Sequence, residues 1–144
     1  NATEMSIAAN LSGRAISISK TTVPHAASYP FTSLFNISHA HAVSLFFEKF
    51  FKFNYENLDK SETSFNLKKR FDHIFNLFDT PDINTFNLKI GLIKKQAKLE
   101  DNLNKLNIDI KKSSENIIKG INLLRLGNNP VKIDGKDIFK IMYK

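Results

Sequence analysis

The chain contains no cysteine and no tryptophan in 144 residues. Without cysteine there are no disulfides, no thiolate metal sites and no cysteine nucleophile, whichever redox compartment holds the protein. Glycine is sparse and scattered, at positions 13, 91, 120, 127 and 135, so neither a Gly-x-Gly-x-x-Gly turn nor a Walker loop exists. No apolar run approaches the roughly 18 residues of a transmembrane helix. Ser, Asn, Gly and Arg14 interrupt every apolar run near the start, so no secretory signal is expected there. Carboxylates are outnumbered, 14 against 21 Lys and Arg, and the resulting charge of +7 suits nucleic acid, anionic lipid or an acidic partner without choosing among them.

Catalytic chemistry is equally thin. His39 and His41 are two apart, on opposite sides of a helix, with no carboxylate at a matching position; His25 and His73 stand alone in the sequence. All four are expected to be ordinary surface or capping histidines. Asp79 and Asp82 flank a turn and are assigned to helix termination rather than acid–base work. No serine lies in a nucleophile elbow. The sequence therefore assigns no catalytic, cofactor-binding or metal residue, and the chain alone is expected to be non-enzymatic.

What is present is phenylalanine in a helical pattern. Hydrophobic residues at 42% and charged residues at 24% place the chain among globular domains. In the stretch 43–53, an α-helix sets Val43, Phe46, Phe47, Phe50, Phe51 and Phe53 within an arc of roughly 160°, with Lys49 and Lys52 on the other side. That arc must meet an apolar partner. Packing into the chain's own core is the default; an anionic membrane or protein partner, met through Phe46, Phe47, Phe50, Phe51, Lys49 and Lys52, is the alternative.

Helix periodicity predicts an all-α fold, a Phe-rich bundle of three or four helices over 38–127. One helix covers about 38–54 from Ser38 and a second about 62–78 from Ser61; Thr80 and Pro81 open a third. Over 82–126, Leu92, Leu99, Leu103, Leu106, Ile110, Ile117 and Leu124 follow a heptad seam, a route to a homodimer. A break is expected near 112–114, although frequent Asn weakens the helical pattern. Residues 1–37, Ser-rich and nearly uncharged, are expected as an irregular or partner-dependent arm. The alternative is an ordered arm packed through Tyr29, Phe31, Leu34 and Phe35. Asp134-Gly135 predicts a β-hairpin over 131–138, within a 128–144 hairpin or linker leading to a further C-terminal region.

Three functions follow. The first is a non-enzymatic helical module binding a protein partner. The second is a module on anionic membrane, with nucleic acid a weaker partner. The third is the N-terminal part of a larger enzyme with catalysis beyond residue 144. In composition alone, the first forty or so residues and the Lys/Asn/Ile-rich body resemble bacterial secreted virulence effectors. That resemblance implies export by a non-classical route into a host cell.

Overall fold

The computed structural model describes residues 1–143, leaving outside it the final Lys144 of the apolar C-terminal run. The elements are α1 (Ala2–Ser19), α2 (Val23–Phe35), α3 (His39–Ser44), α4 (Phe47–Glu56), α5 (Leu67–Leu77), α6 (Ile83–Gln96), α7 (Ser114–Lys119), α8 (Leu123–Leu126) and α9 (Gly135–Tyr143). A 3₁₀ turn at Leu58–Lys60 joins them. The fold is all-α, as the periodicity predicts. Among the described residues the nearest approach to a sheet is an isolated bridge between Ser61 and Val131.

The Phe-rich stretch explains the architecture. Phe46 leaves helical geometry (φ −125°, ψ 12°), so the expected single helix over 38–54 becomes α3 and α4. Helix α4 then stands between two cores. Phe46 and Phe50, both buried, face a core built from Val23, Phe31, Leu45, Ile117, Ile138 and Met142, among others. Phe47, Phe51 and Tyr55 face a second core around Phe71, Phe75, Ile83 and Phe86. Phe51 lies 4.7 Å, centroid to centroid, from both Phe71 and Phe86. The wide apolar arc is needed because α4 serves two cores at once. Phe46 and Phe50 are buried, and Phe47 and Phe51 are half-buried against the second core, which is the core-packing default. The lysines are engaged too. Lys49 Nζ donates to the Met142 carbonyl at 3.0 Å and sits over the Phe46 ring, while Lys52 Nζ donates to Asn84 Oδ1 at 3.3 Å. Burial pushes the Lys49 ammonium below its ordinary pKa.

The heptad seam is not one helix. Helix α6 stops at Gln96, with Lys98 in the left-handed region (φ 56°) and the Leu99 N–H donating to the Lys94 carbonyl at 3.0 Å. Regular helix resumes only at Ser114. In between, Asn102 Oδ1 accepts from the Asn104 N–H and Asp109 Oδ1 from the Lys112 N–H. Short polar side chains that bond the local backbone compete with the helical ladder, and here they win. Leu103 and Leu106 pack against the first core and Ile110 and Ile117 are buried in it, Leu99 is half-buried, and Leu92 and Leu124 are exposed. These residues share no stripe.

Both ends of the chain also depart from expectation. Residues 1–37 form two helices rather than an irregular arm. Helix α1 is exposed along its whole length, whereas α2 carries Val23, Ala26, Ala27 and Phe31 into the first core. The latter matches the ordered alternative, except that Leu34 is exposed. At the other end the predicted hairpin is absent. Asp134 Oδ1 accepts the Asp137 N–H at 2.8 Å, a helix N-cap bond, and Gly135 opens α9. That same bond holds the Asp134 carboxyl below the usual carboxylate range. The capping residues of α5 and α6 are Asn66 and Asp82, each accepting a backbone N–H, in place of Ser61 and Thr80. Thr80 is buried and donates instead to the Phe75 carbonyl.

Candidate functional site

Helices α2 and α3 assemble the site. Thr22 precedes α2 in extended geometry, and Pro24 occupies the first turn, where its fixed φ and missing N–H cost nothing. His25 follows in that turn, with Tyr29 one turn further on. The helix ends at Asn36 in the left-handed region (φ 54°), and the Phe31 carbonyl accepts the N–H groups of Asn36 and Ile37. The chain reverses there, and α3 opens with His39. The reversal brings the His25 and His39 rings to 5.4 Å, edge to face at 61°. Tyr29 lies 6.0 Å from His39.

These two imidazoles are the residues of this face that could hold a metal ion, since imidazole is a common metal ligand and their rings approach to 5.4 Å. Ser28 is buried, and its Oγ donates to the His25 carbonyl at 2.8 Å. That Oγ also lies 3.5 Å from His39 Nδ1. Burial first, then the neighbouring His39 and Arg125, hold the His25 imidazole below its ordinary pKa. It is neutral at pH 7, the form that binds metal. Among the described residues no third His, Cys, Asp or Glu joins the pair. His39 is exposed and His25 half-buried, so the site is an open face. A cleft of about 650 Å³ between Asn102–Lys111 and Tyr143 contains neither histidine.

A second chain of bonds places a cation here. Pro30 has no N–H, so the Ala26 carbonyl lacks its helical partner. The Asn122 N–H donates to that carbonyl at 3.1 Å, and Asn122 Oδ1 caps α8 by accepting the Arg125 N–H at 3.0 Å. Arg125 Nε then donates to the Tyr29 hydroxyl at 2.8 Å, and its Nη1 donates to Thr21 Oγ1. The approach is tight: a Cβ on Gly120 would lie 2.9 Å from Pro30 Cβ. Gly120→Ala is accordingly expected to lose about 1–3 kcal/mol in urea unfolding, as overpacked sites do. An unchanged midpoint would refute the close approach.

The remaining histidines lie apart. His41 Nε2 donates to the Glu100 carbonyl at 2.8 Å, a structural tie, and His73 is exposed on α5. Sequence reasoning missed the pair because His25 and His39 are fourteen residues apart. The available signal was Asn36, a residue tolerant of the left-handed turn, set between two short helical segments.

Over residues 1–144 the chain matches the family model described as "Fe-containing alcohol dehydrogenase family, C-terminal". No curated protein and no solved structure matches it. The match overturns the secreted-effector and virulence expectation, which rested on composition alone, and leaves the non-enzymatic reading without support. Of the three functions, part of an enzyme is the one it favours, although the family region is C-terminal rather than N-terminal. Among the described residues no helix is long and apolar enough to cross a membrane. The chain belongs to the Fe-containing alcohol dehydrogenase family.

Proposed function

We propose that this chain supplies part of the metal-binding face of an iron-dependent alcohol dehydrogenase, with His25 and His39 as imidazole ligands. The observation that carries the reading is the 5.4 Å edge-to-face approach of those two rings. Imidazole suits iron, and the carboxylate that completes many iron sites comes from outside this pair. An iron ion held by His25 and His39 would supply Lewis-acid polarisation of an alcohol or carbonyl oxygen at this face. His25 contributes a neutral nitrogen because burial disfavours its protonation. Ser28 stands beside His39 Nδ1, and Tyr29 forms the adjoining wall.

Anaerobic titration with Fe(II), and with Co(II) as its optical surrogate, tests this. His25→Ala and His39→Ala are each expected to weaken binding at least about tenfold, while His41→Ala and His73→Ala leave it unchanged. Equal affinity in the His25→Ala/His39→Ala double variant would sink the assignment. The pH dependence has a definite sign. The His25 pKa is depressed below 6.5, so its protonation competes with metal only below that pH. Its contribution to folding stability is likewise complete above pH 6.5 and declines as the pH falls toward the folded-state value.

A further inference from the structure

We propose that Arg125 is an anion-recognition residue of this site, so that the substrate is a small alcohol or carbonyl compound bearing a carboxylate, phosphate or phosphonate group. The proposal rests on the dehydrogenase reading and names its substrate class. A guanidinium has five N–H donors. Arg125 spends two on neutral hydroxyls, those of Tyr29 and Thr21. Among the described residues it forms no ion pair with a carboxylate, and the remaining donors have no protein acceptor. Both tethers are well fixed: Thr21 is buried, its carbonyl accepts from Asn128 Nδ2 at 3.2 Å, and Tyr29 is a rigid ring on α2. A half-buried, unpaired, immobilised guanidinium is pre-organised for bidentate capture of an oxyanion.

Its location selects the ligand. The Tyr29 hydroxyl that holds Arg125 belongs to the ring 6.0 Å from His39, so the cation stands one tyrosine away from the metal-facing imidazoles. A substrate held beside the imidazoles would have an anionic group on the Tyr29 side within the reach of Arg125.

The test is an NMR titration that follows the Arg125 Nε–H and Tyr29 ring signals of the metal-free chain, with inorganic phosphate, acetate or ADP as probes and chloride at matched ionic strength as control. Phosphate or acetate is expected to bind saturably and shift both. Arg125→Gln should weaken that binding at least about tenfold, and Arg125→Lys, which keeps the charge but loses the planar fork, by less. A merely structural Arg125 would give no saturable anion-dependent shift. The proposal is overturned if chloride shifts the signals equally, or if Arg125→Gln and Arg125→Lys both bind phosphate within about twofold of the parent, as followed by the Tyr29 ring, below the range of charge-assisted hydrogen bonds. It is also overturned if ADP binds through Arg125 far more tightly than phosphate and acetate, which would assign the cation to a nucleotide. Failure of Co(II) binding with phosphate binding intact would remove the dehydrogenase reading and leave the anion site; the reverse pattern would remove the anion site alone.

Discussion

Phe50→Ala is expected to cost about 3–5 kcal/mol, the range for emptying a fully buried aromatic site. Phe50 is completely inaccessible, and its ring lies 6.4 Å from Phe46 in the core that joins α2, α4 and α9. Domains of this size have only about 5–15 kcal/mol in total, so the variant should be largely unfolded by mild heating. Urea denaturation followed by circular dichroism checks this; a loss below about 1 kcal/mol, the scale of a surface change, would show that α4 is not central. Phe51→Ala empties the other core, and because the two rings face separate clusters their losses should add. A Phe face meant for lipid would give the opposite result, with both variants stable.

Lys94→Met should cost about 3 kcal/mol, toward the low end for breaking a buried ion pair because Asp101 is partly exposed. The Lys94 side chain is 7% exposed, with Nζ 2.9 Å from Glu48 Oε1, 3.0 Å from Asp101 Oδ2 and 3.0 Å from the Ser44 carbonyl. Methionine keeps the volume but leaves Glu48 and the last carbonyl of α3 without their cation. Since α3 opens with His39, the same substitution should also weaken metal binding. Adding Glu48→Leu removes the orphaned carboxylate and should recover most of the stability in a double-mutant cycle. Failure to recover would place the cost elsewhere than in the pair.

The contrast between Lys94 and Phe50 shows how much was legible in the sequence. Phe50 declares its burial through its i±3 and i±4 neighbours, because helical periodicity is a local property. Lys94 carries no such mark: in sequence it is one more basic residue of the 94–98 cluster, and only the contact with Glu48, 46 positions away, makes it internal. The seam failed for a related reason. Leu99, Leu103, Leu106, Ile110 and Ile117 satisfy a heptad, but local bonds from Asn102 and Asp109 redirect the backbone between them. Asp134-Gly135 is ambiguous in the same way, since aspartate caps a helix as readily as it turns a hairpin.

By itself the sequence determined the helical class, the Phe stripe that must be buried, and the absence of thiolate and phosphate-loop chemistry. Only the tertiary structure decided that α4 separates two cores, that the seam is broken, and that His25, His39, Tyr29 and Arg125 share one face. The reason is range. Periodicity, caps and composition are set by neighbours within a turn or two, whereas this face depends on a reversal at Asn36 and on a carbonyl of Ala26 that Pro30 leaves free for Asn122.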